Sequence, residues 1–440
     1  MTAQVNPTTV RVLEADDPGW EDWLGMATRD IYHTAGYHDL ARSSGEGTPK
    51  LVVVGDRRRG LAWPYLLRPV REIDGLADFD ATDVTSVYGY PGPLAWGVHP
   101  GDRFVARAWL ETVSVWREQG AVAAFTRFHP LLDNASLVPA RSWSAHGPRP
   151  NEGVMAVGPT VSIDCTLSDD AVIAQYARAL RQHITAGRRA GLVTVEDEEW
   201  VDLDAFVRLY RETMARNRAA AGYFFDHAYF DRLVSALSGH LHLLVTKLEG
   251  LPVAAGLFTE FDGIVQAHLV GTSTEHRSLS PFKLLLDDAR KWARDRGDKV
   301  LHLGGGRGGR EDTLLSFKGE FSPRRHVFHV GRWVLDAGLY PELVRARLRV
   351  VPERPSLGAG FFPAYRAPAC DGRGTSTLRG LSPASPAGDL RPQATAWVSA
   401  SATYATSSSE SRLENGRASV DAATRSVTGK SPGLYPNVSR

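Results

Sequence analysis

The chain has 440 residues, 43% of them hydrophobic and 23% charged, with a formal net charge of +1. That length favours two domains over one, the balance is that of a globular protein, and the near-neutral charge excludes a global polybasic surface, so a nucleic-acid partner must be held by local patches. The two cysteines, Cys165 and Cys370, make neither a metal-ligand pattern nor a disulfide framework, which points to a reducing cytoplasm.

Met1–Asp17 is polar and acidic and lacks an apolar signal core. No apolar run is long enough to span a bilayer. The expectation is a soluble, cytoplasmic protein with no transmembrane segment.

Glu21–Arg42 reads as helical at first and then loops through Tyr32, His33 and Thr34. Leu51–Val54 and Leu61–Val70 are strands around an arginine-rich turn, a hairpin signal. Asp83–Pro93 is too rich in Gly and Pro for a regular element, and Pro91-Gly92-Pro93 marks a fixed turn. Phe104–Gln119 is an amphipathic helix and Ala121–Arg127 a strand. Thr160–Cys165 is a strand that opens a second half. Ser168–Ala190 reads as one helix carrying Arg178, Arg181, Arg188 and Arg189. Leu203–Asn217 and Asp226–Leu237 are further amphipathic helices. Strands His240–Leu248, Pro252–Phe261 and Gly263–Gly271 follow, then a long helix over Pro281–Arg296 and a strand over Lys299–Leu303.

The parts of the two halves come in a similar order, so the expected fold class is α+β, built as two related halves, 1–158 and 159–366, each with a mixed sheet flanked by helices. Beyond that the composition shifts to Ser, Ala, Thr, Gly, Arg and Pro. Residues 367–440 are too poor in large apolar groups to offset ordering entropy and read as a disordered tail. The abruptness of the change also fits a shifted reading frame at the 3′ end of the gene.

His302–Phe321 carries the most information. A strand-like apolar run meets the glycines Gly304, Gly305, Gly306, Gly308 and Gly309, and an amphipathic segment then ends in Phe317-Lys318. Glycines permit positive φ and close approach of a ligand to the backbone. Gly304, Gly306 and Gly309 satisfy the dinucleotide pattern G-x-G-x-x-G, but Pro323 leaves room for only a short helix, and no acidic residue follows in context. A nicotinamide or flavin site is therefore disfavoured. Lys318, a lone cation among apolar residues, is placed to meet a developing negative charge.

Four segments together resemble the Fem-type (FemABX-like) branch of the GNAT acyltransferase superfamily. They are the glycine turn with Leu314–Pro323, Tyr88–Pro93, Arg127–Asn134 and Phe361–Arg366. The resemblance covers roughly residues 20–366. It implies tandem GNAT-like halves that transfer an acyl group to an amine, with the acceptor in the groove between them. Familiar members take an amino acid from aminoacyl-tRNA and add it to a cell-wall precursor, and relatives modify small natural-product amines or hydroxyls. It also implies that Lys318 stabilises the tetrahedral oxyanion.

Classical GNAT enzymes hold the coenzyme A pyrophosphate with a glycine turn at a helix N-terminus. The equivalent stretch here, Arg277–Lys283, has no glycine. The expected co-substrate is therefore aminoacyl-tRNA, with acetyl- or acyl-CoA as the alternative, no tightly bound cofactor and no metal. The expected acceptor is a small or lipid-linked amine, and no DNA partner is expected. A binding module that keeps the fold without turnover is a third reading.

Each candidate residue has a structural alternative. Lys318 is a catalytic cation or a surface lysine paired with Glu320 or Glu311, with Phe317 packed beneath it. His268 and His302 supply a group able to take the proton of an attacking amine, or they are core histidines. Arg307, Arg310, Arg324 and Arg325 hold phosphates, or solvate a loop. Arg277, with Arg181, Arg188 and Arg189, contacts the donor, or forms a charged helix face. Glu311 and Asp312 steer the amine, or cap the next turn. Asp83, Tyr88 and Tyr90 match the family's acceptor side, or pack the proline-rich turn. Gly304, Gly305 and Gly306 shape the pocket. No nucleophile elbow, zinc spacing or Walker motif is present, which disfavours covalent and metal catalysis.

Overall fold

A computed structural model describes residues 9–139, 152–219, 221–351 and 361–367. Residues 368–440, with Cys370 and the expected tail, lie outside the described residues.

The first half contains β1 (Val10–Glu14), α1 (Gly19–Leu24), α2 (Ala35–Ser43), β2 (Thr48–Gly55), β3 (Gly60–Pro69), β4 (Thr82–Thr85), β5 (Leu94–Trp96), α3 (Arg103–Glu118) and β6 (Ala121–Arg127). The second contains β7 (Gly153–Asp164), α4 (Asp169–Gln175), α5 (Arg178–Arg189), β8 (Leu192–Glu196), α6 (Leu203–Arg216) and α7 (His227–Ala236). It continues with β9 (Leu241–Leu248), β10 (Leu251–Phe261), β11 (Ile264–Thr272), α8 (Pro281–Asp295), β12 (Val300–Gly305), α9 (Thr313–Gly319), β13 (Arg325–Val334) and α10 (Leu339–Val350).

All the strands form one 13-stranded sheet, ordered β1-β2-β3-β4-β6-β13-β7-β12-β11-β10-β9-β8, with β5 pairing β3. The halves match in polarity. β1 to β4 are antiparallel neighbours and β4 runs parallel to β6. β8 to β11 are likewise antiparallel and β11 runs parallel to β12. Parallel neighbours require a crossover, and α3 and α8 supply it.

The centre of the sheet is exchanged. β7 follows β6 in the chain yet pairs with β12 of the second half. β13 follows β12 yet pairs with β6 of the first half. β7 and β13 then pair antiparallel with each other and close the sheet. Packing obeys the same exchange. Trp333 of β13 is fully buried among first-half aromatics, with ring centroids 5.0 Å from Trp109, 6.1 Å from Trp63 and 6.5 Å from Phe128. Truncating such a tryptophan costs about 3–5 kcal/mol.

Local signals explain most elements. Asp56 Oδ1 accepts from the amides of Arg58 and Arg59 and turns the β2–β3 hairpin. Asp102 caps α3 through the Phe104 amide, and α3 buries Trp109 and Trp116. Two expectations need correction. Ser168–Ala190 is two helices, broken where the Ala177 amide turns to donate to the Glu320 carbonyl at 2.8 Å. The stretch taken as irregular from Asp83 begins inside a strand, β4, held in the sheet by pairing with β3 and β6.

Candidate active site

The parallel ladder between β11 and β12 is short. It runs from Ile264 opposite Val300 to Gln266 opposite His302 and stops. His268 is the extra residue of a bulge against β10, where Leu257 pairs Leu269 and Phe258 pairs Ala267. A second irregularity lies on β12, where His302 pairs Ser162 but Gly304 pairs Val161. Bulges bend their strands, and β11 and β12 part beyond this point. Gly304 takes φ +74° there, a conformation glycine adopts at no steric cost.

The opening leads into a cavity of about 220 Å³ at the seam of the halves. Ala267 and His268 line one arm and Leu303–Gly306 the other; Tyr88, Gly89 and Tyr90 come from the first half. Phe125 and Arg127 of β6, with Phe328, Val330 and Arg332 of β13, form the floor toward the first half. The glycine turn is fitted to β7 by close backbone contact: a Cβ on Gly158 would fall 1.7 Å from the Gly309 carbonyl.

Lys318 is 1% exposed and reaches the cavity from α9. Its Nζ donates to the Gly305 carbonyl at 2.6 Å. Burial pushes its ammonium well below the usual lysine range, and the negative charge of Asp312 opposes that push only in part. Phe317, beside it, faces away: it stacks on Phe282 at 5.7 Å and belongs to the core.

His302 is fully buried and is not among the residues lining the cavity. Its Nδ1 pairs with Gln266 Oε1 at 2.7 Å, while Nε2 has no partner. Burial, then the neighbouring His129, His326 and Lys318, keep this ring neutral. Gln266 Nε2 donates to Asp30 Oδ2 at 2.7 Å, and His129 Nε2 meets the same oxygen at 2.8 Å. The Leu131 amide donates to His129 Nδ1, so the His129 proton sits on Nε2 and points at Asp30. One buried carboxylate of the first half thus anchors a chain of polar groups that ends on β12. His268 does line the cavity, edge-on to Tyr37 and tilted against Tyr88. Burial lowers it to about 4.

The other candidate residues are scattered. Tyr88 and Tyr90 line the cavity, and burial raises Tyr90 to about 12. Asp83 does not line it: fully buried, it takes Arg68 Nε at 2.7 Å, Tyr365 at 3.2 Å and Arg366, tying Phe361–Ala367 to β3 and β4. Asp312 caps α9 through the Leu314 and Leu315 amides and holds the glycine turn through the Arg307 amide, all at 3.1 Å. Arg307, Arg310 and Glu311 are exposed outside the cavity. Arg324 pairs with Asp164 at 2.7 Å, and Arg325 donates to the Ser322 carbonyl at 2.7 Å. On α5, Arg181 and Arg189 are exposed, and Arg188 is bound to Asp287 and Asp288 of α8.

The start of α8, where a classical GNAT enzyme cradles pyrophosphate, is built differently. Ser280 takes φ +54° and Pro281 is the first helical residue. The Leu279 carbonyl lies 3.3 Å from where a Cβ of Gly187 on α5 would sit. Lys283 is 5% exposed and bound to Glu320 at 2.7 Å. Arg277 precedes this turn, with its Nε buried.

A family profile described as an acetyltransferase (GNAT) domain matches residues 174–312. The crystal structure of FemX superposes with a TM-score of 0.56 at 12% identity, covering 76% of this chain and 99% of FemX. The chain shares the fold of FemX. L-PGS from Bacillus licheniformis is similar at 13% identity and TM-score 0.45, covering 76% of this chain and 96% of its own. A tandem GNAT protein from the clavulanic acid biosynthesis pathway is similar at 12% identity and TM-score 0.40, covering 74% and 98%. No curated protein sequence matches the chain. In this GNAT fold β11, α8 and β12 form the crossover around which the cavity opens. Among the described residues no helix is long and apolar enough to cross a membrane, and no cluster of His, Cys, Asp and Glu is arranged to hold a metal ion.

Sequence reasoning passed over Arg127 and Arg332 as site residues, and over Asp30 and Gln266 altogether. Each is unremarkable locally; only the pairing of β6 with β13, and the seam between the halves, brings them together.

Proposed function

We propose that the protein is an acyltransferase that moves an aminoacyl group from aminoacyl-tRNA to the amine or hydroxyl of a cell-wall precursor or small natural-product acceptor. The observation that carries the acyl-transfer reading is Lys318, buried in the seam cavity with Nζ on the Gly305 carbonyl. An aminoacyl ester is already activated, so transfer needs positioning and charge stabilisation more than a covalent intermediate.

Burial favours the neutral form of Lys318. When an acceptor amine attacks the ester carbonyl, a C–N bond forms and the carbonyl becomes an oxyanion. The proton released by the attacking nitrogen passes to Lys318, and the resulting ammonium faces the oxyanion. Collapse breaks the C–O bond, and the leaving hydroxyl of the donor takes the proton back. His302 and the Gln266–Asp30 pair act behind this group as positioning residues for β12.

The start of α8 supports a donor other than coenzyme A: Pro281, the left-handed Ser280 and the engaged Lys283 replace the open glycine turn. The profile matching residues 174–312 favours the second reading, an acyl-CoA-dependent N-acyltransferase. A donor screen decides between them. Charged tRNA is compared with acyl-CoAs, with mass detection of product and a ribonuclease control. Ribonuclease-sensitive transfer supports the first reading, and turnover with acetyl-CoA alone sinks it. Ligand binding without turnover on either donor identifies a non-catalytic module.

A further inference from the structure

Among the described residues the cavity is lined by three basic side chains, Lys318, Arg127 and Arg332, and by no aspartate or glutamate. Lys318 marks the reacting end. The two arginines lie at the other end, on strands that join the halves.

Their placement follows from register. Phe125 pairs with Arg332 and Arg127 pairs with Val330. Directly opposed residues share a face of the sheet, and so do residues two apart on one strand. Phe125, Arg127, Val330 and Arg332 therefore project from one face, with the two arginines diagonal neighbours. Arg127 Cζ lies over Phe125, 5.1 Å from its ring centroid, which leans the guanidinium toward the strand position opposite Arg332.

 Among the described residues neither arginine is in an ion pair within 4.0 Å, and Arg332 Nε is buried without a hydrogen bond. Burial disfavours the charged form of Arg127, and Tyr88, Tyr90 and Glu46 oppose that only in part. Taking a guanidinium out of water without a counter-charge is unfavourable, and a bound anion removes that penalty. The guanidinium fork matches carboxylate and phosphate oxygens.

We propose that Arg127 and Arg332 form an anion subsite that holds a carboxylate or phosphate group on the acceptor, while the amine of the same molecule lies at Lys318. This rests on the acyl-transfer reading of the cavity. The spacing sets the shape of the molecule. Thr160 pairs with both Gly305 and His326, which fixes the lysine end on β13. From His326 to Arg332 is roughly 20 Å of strand at about 3.3 Å per residue, shortened by the reach of the side chains. The aromatic walls between the ends, Tyr88, Tyr90, Phe125 and Phe328, suit an apolar or planar spacer. The acceptor is thus an elongated amino acid or amino phosphate, and a simple alkyl amine lacks half of the recognition.

Calorimetric titration of the full chain tests this with 6-aminohexanoate, 8-aminooctanoate and 6-aminohexyl phosphate, against 6-aminohexanamide and hexylamine as neutral-ended controls. The acidic probes are expected to bind at least tenfold more tightly than the controls, and the better of carboxylate and phosphate identifies the group. Arg127→Gln and Arg332→Gln are each expected to lose that advantage, and Arg332→Lys to recover part of it. Equal affinity for acidic and neutral probes, no binding of any acidic probe, or an unchanged advantage in both glutamine variants overturns the proposal. The wild-type comparison decides by itself if a variant fails to fold. Binding needs no acyl donor, so failure here is separate from failure of the donor screen.

Discussion

Asp30 and Gln266 stand 236 residues apart in the chain and meet through a 2.7 Å hydrogen bond across the seam of the two halves. The same carboxylate receives the Ile31 amide at 2.7 Å and His129 at 2.8 Å. Asp30→Ala strands three buried donors, each worth about 1–3 kcal/mol when left unsatisfied. Urea denaturation is expected to show a loss of about 3 kcal/mol or more, with Asp30→Asn milder. A loss under about 1 kcal/mol would show that the network contributes little.

Lys318→Ala is expected to lower the rate of acyl transfer by about 10²–10³, the usual effect of removing one donor to an oxyanion. Thermal stability should hold or rise, because the variant removes a buried amine whose charged form burial disfavours. Single-turnover kinetics with the donor found by the screen checks the rate. An unimpaired rate removes Lys318 from the chemistry.

Buried histidines set an acid limit. Burial lowers His33 from 6.5 to about 3, and His38 and His268 from 6.5 to about 4. Above pH 6.5 both folded and unfolded chains hold these rings neutral, and their contribution to folding does not change with pH. Between 6.5 and about 4 the unfolded chain binds protons that the folded chain refuses. Stability therefore falls as the pH drops through that window, by up to about 1.4 kcal/mol per unit for each ring. Denaturation midpoints measured between pH 7 and pH 4 should decline, and His268→Phe should make the decline shallower. A flat profile contradicts the burial of these rings.

Gly158→Ala is expected to impair the site without touching Lys318. The added methyl would sit 1.7 Å from the Gly309 carbonyl, so β7 and the glycine turn must separate. Overpacking of this kind costs about 1–3 kcal/mol. A drop in transfer rate alongside a lowered melting temperature is the expected pair of results; a variant identical to wild type in both shows that the turn yields freely.

The second half was the more legible in sequence. The strand expected over Pro252–Phe261 is β10 and the helix over Pro281–Arg296 is α8, each within one residue at either end. Their apolar periodicity is strong and their ends are punctuated by Gly and Pro. β1, β4 and β8 went unread because they are four or five residues long and drawn into the sheet by their neighbours. At the site, Lys318 and the glycines stood out because they are contiguous. The Asp30 network and the arginine pair did not, because each is assembled from strands or turns far apart in sequence.

The exchanged central strands make the two halves interdependent. A fragment ending after β6 lacks β13, so Trp63, Trp109 and Phe128 lose the indole of Trp333 that completes their cluster. A fragment starting at β7 keeps β13 but leaves its β6-facing edge unpaired, a template for aggregation. What resembles a gene duplication in outline is thus a single cooperative unit in its physics. The cavity sits on the seam that neither portion owns, and dividing the chain abolishes the site before it touches any residue lining it.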